Sequence, residues 1–413
     1  MTPLDRRSLI RASALMVGGL VSGRAFAAPA AANNRFLLVF LRGAYDATNI
    51  IAPTASDFYH ASRPSIALVK PDPANPDAAL PLDADWSLHP ALKDSMLPLW
   101  QARQLAFVPF AGTEDMSRSH FETQDSIELG QPLSGPNGDA SRNYASGFMA
   151  RLAAALGAGD TRPIAFTADL PLSFRGGPIV PNIALAGATG KPPLDARQSK
   201  LIAAMYRGQH VGGVDLDRAV SEGFTVRDEV FASINEEMEQ AGRGAVSAKG
   251  FELAARRIGH LMQGQFNLAF LDVGGWDTHV NQGGAQGYLA GRIGELGRGL
   301  AGFVEEIGPD AWRNTTVVVI SEFGRTFREN GDKGTDHGHG SVYWVLGGGV
   351  TGGRMVGSQV RLAPETLNQG RDLPVLTDYR ALIGGIIARQ YGLSPERLAS
   401  VFPGAAPARL GLV

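Results

Sequence analysis

Two short polar clusters and the segment between them hold the residue types that could do chemistry. The first cluster is residues 274–279 (Gly-Gly-Trp-Asp-Thr-His), and the second is residues 334–339 (Gly-Thr-Asp-His-Gly-His). Residues 321–325 (Ser-Glu-Phe-Gly-Arg) lie between them and follow the apolar run 317–320. Because carboxylates and neutral imidazoles together bind zinc, manganese or iron, a metal-dependent active site is the leading hypothesis.

The predicted metal ligands are the acids and histidines of these segments and one aspartate near the N-terminus. In sequence order they are Asp46, Asp277, His279, Glu322, Asp336, His337 and His339. Glycines beside the second cluster allow close backbone approach, which favours a ligand function over an exposed polar turn. For Glu322 a helix cap or an ion pair is an equal alternative, and Asp46 could instead form an Asx-turn.

Ser119 is the hydroxyl side chain that we predict as a nucleophile. The spacing of Ser119 and Glu122 is a capping-box signature, which places the serine at a helix N-terminus. There it would meet free backbone N–H groups that also hold an anionic ester, although a plain N-cap is the simpler reading. His120 is either a ligand or a wall of the substrate pocket. The predicted substrate-binding residues are Arg118, His120 and Arg325, because guanidinium groups bind phosphate or sulfate oxygens in pairs.

The elements that must position these residues alternate between strands and helices. Strands are predicted over the apolar runs at residues 36–41, 105–108, 267–271, 315–320 and 342–346, and a C-terminal helix over residues 378–390. The alternation predicts a three-layer α/β/α sandwich with a mostly parallel central sheet. In such sheets the ligand site lies beyond the carboxyl ends of the strands. Residues 143–265 are mostly helical in pattern and are predicted to form a helical insertion.

The N-terminus is predicted to be a twin-arginine signal peptide. Residues 5–11 (Asp-Arg-Arg-Ser-Leu-Ile-Arg) precede a modestly apolar run, and Ala25 and Ala27 fit a small-residue cleavage site. The run is shorter than the roughly 20 residues that span a bilayer, and no later stretch qualifies. We therefore expect residues 1–27 to be removed after export by the twin-arginine translocase, leaving a periplasmic or secreted domain over residues 28–413.

The composition is that of a globular protein. The 413 residues are 44% hydrophobic and 19% charged, which is enough to bury a sizeable core. A net charge of −2 without a basic run gives no sign of nucleic-acid binding. Because the chain has no cysteine, disulfides, Cys₄ zinc sites and thiol catalysis are all excluded.

Five segments together resemble a family of twin-arginine-exported bacterial proteins of unknown function within the alkaline phosphatase and sulfatase superfamily. The matching segments are residues 40–46, 118–121, 275–279, 321–325 and 334–338. The resemblance implies a two-metal hydrolase of phosphate or sulfate esters, with a small molecule or a glycan as the ester substrate. It places the first-strand aspartate at Asp46, the nucleophile at Ser119, and one metal-binding pair at Asp277 and His279.

Two registers are open for the remaining ligands. Residues 336–339 resemble the Asp-His-Ala-His signature of alkaline phosphatases. In the register that we prefer, Glu322 replaces the strand-end aspartate, Phe323 replaces a histidine, and residues 334–338 resemble the late Gly-Thr-His-Gly of nucleotide pyrophosphatases. One or two divalent ions (zinc, manganese or calcium) are then expected. A non-catalytic, metal-binding envelope protein that retains the fold is the alternative function.

Overall fold

A computed structural model describes residues 33–133, 142–157, 159–184, 196–211, 214–225 and 250–413. The predicted signal peptide, residues 1–27, lies outside these ranges and stays a prediction. Within the described ranges, no helix has both the length and the apolar character needed to cross a membrane.

The centre of the molecule is a mixed sheet whose strands lie in the order β12-β5-β11-β10-β1-β9-β6, with β13 also paired to β5. Strands β2, β3 and β4 form a separate small sheet, and β7 and β8 form a two-stranded ribbon. In chain order the strands are β1 (Arg35–Leu41), β2 (Ile51–Ala52), β3 (Leu80–Pro81), β4 (Ser87–Leu88), β5 (Leu105–Gly112), β6 (Pro163–Phe166), β7 (His210–Val211), β8 (Val214–Asp215), β9 (Leu268–Val273), β10 (Thr315–Ser321), β11 (Ser341–Leu346), β12 (Arg354–Met355) and β13 (Thr377–Asp378).

Strands β6, β9, β1 and β10 are mutually parallel, and β1, β9 and β10 contain apolar runs noted in the sequence. Such runs are typical of parallel strands covered on both faces, and every residue of β1 beyond Arg35 is buried. Strand β11 runs antiparallel to both of its neighbours, β10 and β5. All five strands predicted from apolar runs are confirmed, and so is the mostly parallel sheet.

Helices cover both faces of the sheet. In chain order they are α1 (Asp57–Ser62), α2 (Met96–Gln101), α3 (His120–Leu129), α4 (Phe148–Leu156), α5 (Ala196–Met205), α6 (Phe251–Gly264), α7 (Tyr288–Trp312), α8 (Tyr379–Tyr391) and α9 (Pro395–Val401). A further helix begins at residue 216.

The side chains of β1 alternate between two hydrophobic cores, as the two-residue period of a strand requires. Leu37 and Val39 pack in the core that contains residues of α6 and α7. Phe36, Leu38 and Phe40 pack in the core that contains residues of α4, α8 and α9. The predicted α/β/α sandwich is therefore confirmed.

Residues 143–265, predicted as a helical insertion, also contribute to the central layers. Strand β6 pairs in parallel with β9 at one end of the sheet, and this strand was not predicted. Helices α4 and α6 belong to the two opposite cores. Residues 185–195 and 226–249 of this segment lie outside the described residues, so the insertion as a whole stays a prediction.

Candidate metal centre

The segments predicted to carry chemistry meet at one edge of the sheet. Leu41 at the end of β1 is in register with Ser321 and Val273 at the ends of β10 and β9. Because β11 is antiparallel, its first residue, Ser341, pairs with Ala111 near the end of β5. The loops after β1, β5, β9 and β10 and the loop before β11 therefore share this edge.

Three imidazoles and one carboxylate converge there. The Nε2 atom of His337 lies 2.9 Å from Nε2 of His120 and 3.1 Å from Nε2 of His279. Asp277 places Oδ1 2.9 Å from Nε2 of His279 and Oδ2 3.7 Å from Nε2 of His120. Single ligand atoms of His120, Asp277 and His337 all lie within 4.8 Å of one another. We call these three residues together with His279 the ligand cluster.

The other nitrogen of each imidazole faces an acceptor. Nδ1 of His120 is 2.7 Å from Oε1 of Glu322, and Nδ1 of His279 is 3.2 Å from Oδ1 of Asp336. Nδ1 of His337 is 3.1 Å from the carbonyl oxygen of Arg118. Since ionised carboxylates and carbonyls only accept hydrogen bonds, each Nδ1 must carry the proton. Each neutral ring then has a lone pair on Nε2.

Without a bound cation, this arrangement would bring lone pairs close to one another. Burial lowers the pKa of His337, and the nearby His120 lowers it further, so the neutral ring is favoured at pH 7. A divalent cation among the Nε2 atoms and Asp277 would use these lone pairs, and the donor set fits a transition metal. A histidine ligand whose second nitrogen bonds a carboxylate or carbonyl is the usual arrangement at metal sites.

Glu322 is fully buried and lies behind His120 rather than among the converging lone pairs. Its carboxylate accepts hydrogen bonds from five donors: the backbone N–H groups of Gly43 and Ala44 and the side chains of His120, Gln124 and Ser321. Burial acts to raise the pKa of Glu322, but the hydrogen bonds from His120 and Gln124 outweigh it and lower the pKa. The contacts indicate a residue that orients His120, in place of the predicted ligand.

Asp277 is held by Arg325, whose side chain is fully buried. Nη1 of Arg325 donates to Oδ1 of Asp277 at 2.6 Å, and Nη2 donates to the carbonyl of Thr335 at 2.6 Å. Partial burial would raise the pKa of Asp277, but the hydrogen bond and charge of Arg325 outweigh this and lower the pKa. Arg325, predicted to bind substrate, instead uses its guanidinium to fix a ligand candidate.

Asp46 is occupied by a buried counter-ion. Arg63 donates to both carboxylate oxygens of Asp46, at 2.5 and 3.0 Å, and both side chains are fully buried. Gln282 donates a further hydrogen bond to Asp46 at 2.7 Å. These contacts give Asp46 a guanidinium where the resemblance implies a metal ion.

The remaining predicted residues have other partners. Asp336 accepts from Asn330 and His279, so it orients a histidine in the way Glu322 does. His339 is buried, and among the described residues its Nδ1 has no hydrogen-bond partner. Ser119 caps α3 by accepting from the N–H of Glu122 at 3.5 Å, as the capping-box signature predicts. Arg118 pairs with Asp372 rather than facing open solvent.

Phe323 stands where the preferred register replaces a histidine. Its ring is buried and stacks on the imidazole of His120, with centroids 5.0 Å apart and planes inclined by 29°. It therefore supplies an apolar wall to the ligand cluster. His120, which the sequence left open as a ligand or a wall of the substrate pocket, lies in the ligand cluster.

A glycine makes the approach of two loops possible. A Cβ atom on Gly334 would lie 2.2 Å from the carbonyl oxygen of His279, closer than any real side chain allows. The second polar cluster can therefore pack directly against the first only because this residue has no side chain.

The protein is an α/β/α sandwich in which histidines and carboxylates gather at one edge of the sheet. Residues 33–402 match the family described as "Protein of unknown function (DUF1501)", and the chain belongs to this family. The predicted membership of a family of unknown function is thereby confirmed. No curated protein matches the chain.

Two solved structures show distant similarity to this chain. The chain is similar to Ps i-CgsB in complex with k-i-k-neocarrahexaose, at 11% identity and a TM-score of 0.36, with 90% of this chain and 74% of that chain covered. It is also similar to BT1596, a 2-O GAG sulfatase, at 10% identity and a TM-score of 0.34, with 91% and 76% covered.

Proposed function

We propose that the protein is an exported metal-dependent hydrolase of phosphate or sulfate esters. The observation that carries the proposal is that the Nε2 atoms of His120, His279 and His337 converge beside the carboxylate of Asp277. Each of the three rings is fixed through its Nδ1. The lowered pKa of His337 supports a cation site, because a metal ligand must be unprotonated.

His120, Asp277 and His337 would hold the cation, with His279 adjoining them. A cation bound there would act as a Lewis acid on the ester oxygens and would lower the pKa of a coordinated hydroxyl or water. Imidazole and carboxylate donors together suit zinc, manganese or iron, whereas calcium binds six to eight oxygens. The calcium option of the sequence prediction is therefore the least suited to these residues.

The proposal is for one cation rather than two. A second ion would need Asp46, and Arg63 already neutralises that carboxylate with two hydrogen bonds. Displacing a buried, doubly bonded guanidinium would leave an uncompensated charge in the interior.

Ser119 remains the proposed nucleophile because of its place in the chain. It lies between Arg118, whose carbonyl contacts His337, and His120, which belongs to the ligand cluster. The N–H groups of the first turn of α3 would receive the anionic group of the ester. The guanidinium groups of Arg118 and Arg325 are each paired with an aspartate. In the proposal, backbone N–H groups therefore bind the ester anion in place of these arginines.

The test is hydrolysis by the Ser119→Ala variant. Purified protein would be assayed with aryl phosphates, phosphodiesters and aryl sulfates after addition of zinc or manganese. We expect Ser119→Ala to lose turnover while it retains metal. The matched control is Ser394→Ala, which removes the same kind of N-cap from α9 and should keep full activity. Equal activity in the Ser119→Ala variant and the wild type would reject the nucleophile.

A non-catalytic metal-binding envelope protein is the second candidate. The observation that favours it is the Arg63–Asp46 ion pair, which occupies the carboxylate that the resemblance assigns to a metal ion. Stoichiometric metal without turnover in any substrate class would support this candidate. Export is proposed from the twin-arginine sequence alone, and cell fractionation with and without a functional translocase would test it.

A further inference from the structure

His337 is held at two points by residues outside the ligand cluster. Its Nδ1 donates to the carbonyl of Arg118 at 3.1 Å, and its own carbonyl accepts from Nη2 of Arg371 at 3.0 Å. The Nδ1 contact matters more, because it decides which ring nitrogen carries the proton.

The Arg118 carbonyl reaches His337 from a backbone conformation that arginine rarely adopts. Arg118 has a φ of 54°, in the left-handed region. This conformation costs a residue with a Cβ atom free energy that glycine does not lose. Such strain persists only where surrounding contacts hold it.

The contacts that hold Arg118 come from its side chain. Asp372, which is fully buried, accepts with Oδ2 from Nε at 3.0 Å and from Nη2 at 2.5 Å. Gln369 accepts from the same Nη2 at 2.9 Å. The segment that includes Asp372 is itself tied to the strand-end loop, since the N–H of Phe327 donates to the carbonyl of Arg371.

We propose that Arg118 and Asp372 are a positioning pair: their ion pair holds the strained backbone of residue 118 so that its carbonyl fixes the tautomer and direction of His337. Neither side chain would touch the cation. The inference rests on the metal centre of the proposed function, and it does not depend on hydrolysis.

A pair of variants at residue 118 separates this function from simple stabilisation. Arg118→Ala removes the clamp and keeps the strain, so the backbone can relax and the carbonyl can leave His337. Arg118→Gly removes the clamp and the strain together, so φ near 54° stays accessible. We expect Arg118→Ala to weaken zinc binding about 10- to 100-fold, the usual effect of losing such a partner, and Arg118→Gly to recover most of that loss. Asp372→Asn should resemble Arg118→Ala.

Zinc affinity would be measured by calorimetric titration, and the tautomer of His337 by ¹⁵N NMR of the metal-free protein. The control is Arg380→Ala, which removes another mostly buried arginine that pairs with Asp378 and Glu114 and should leave zinc affinity unchanged. Wild-type affinity in Arg118→Ala, or equal losses in the alanine and glycine variants, would overturn the positioning pair. If the wild type bound no zinc, the metal centre would fail, while the NMR spectrum would still decide whether Arg118 sets the tautomer.

Discussion

Replacing Glu322 with glutamine should weaken both the fold and the metal centre. The change keeps the shape of the side chain, but it removes the charge and turns one acceptor oxygen into a donor. Oε1 accepts from Gly43, Gln124 and His120, whereas Oε2 accepts only from Ala44 and Ser321. The amide nitrogen of the new glutamine therefore disrupts the fewest hydrogen bonds when it takes the place of Oε2.

The size of the effect follows from the partners at that position. The hydroxyl of Ser321 can turn to the carbonyl of Leu41, 2.6 Å away, and then accept from the new amide. The N–H of Ala44 cannot turn, so one buried donor loses its acceptor, which costs about 1–3 kcal/mol. His120 would bond a neutral oxygen in place of a carboxylate, and zinc affinity should fall about 10- to 100-fold.

The loss should also depend on pH. The pKa of Glu322 is lowered in the folded protein, so its carboxylate contributes stability above the unfolded-state pKa and loses it as the pH falls through the folded-state pKa. The stability difference between wild type and variant should therefore shrink on acidification.

Urea unfolding of the metal-free proteins, followed by circular dichroism at pH 7 and at lower pH, would measure the stability difference. Zinc titration would measure the affinity. Glu305→Gln is the control, since Glu305 is 65% exposed and should change stability by less than about 1 kcal/mol. If Glu322→Gln matched this control in both measurements, the carboxylate would not orient His120 and the account of the site would fail.

Three further predictions concern the supports of the site. Arg63→Ala should cost about 3–5 kcal/mol in urea unfolding, because it leaves Asp46 buried without its counter-ion. The control is Arg313→Ala, whose side chain is 67% exposed beside Asp310 and should cost below about 1 kcal/mol; similar losses in the two variants would contradict a buried counter-ion function for Arg63. Zinc at 100 times its dissociation constant should stabilise the chelator-treated protein by about 2.7 kcal/mol in calorimetry, and an equal gain in His337→Ala would place the metal elsewhere. Gly334→Ala should cost about 1–3 kcal/mol of unfolding free energy and weaken zinc binding, because the new Cβ would clash with the backbone of His279. Gly331→Ala, where a Cβ meets no atom within 4 Å, should do neither. Identical unfolding curves for the two variants would show that the two loops can move apart without cost.

The fold was predictable because its strands are long apolar runs. The apolar runs predicted the strands at residues 36–41 and 315–320, and the helix predicted over residues 378–390 is observed at Tyr379–Tyr391. Strand β6 was missed because four residues that begin with a proline carry no such signal.

The sequence predicted where in the fold the site lies, but only part of the functions of its residues. Ligand types at strand ends indicated Asp277, His279 and His337, which lie together. His120, left open as a ligand or a pocket wall, lies with them, and Glu322 lies behind it. Only the fold shows that Glu322 faces Nδ1 of His120 rather than a cation. Arg63 lies 17 positions after Asp46, and an arginine followed by proline gives no indication of that pairing.

The antiparallel direction of β11 has a consequence for when the site can form. The connection between β10 and β11 leaves and re-enters the sheet at one edge, and it meets His120 from 217 positions along the chain. The side chains of the ligand cluster lie on loops that only the paired strands bring together, since Leu41 is in register with both Ser321 and Val273. The complete cation site therefore exists only in the folded sheet, and metal supply would act on the folded protein.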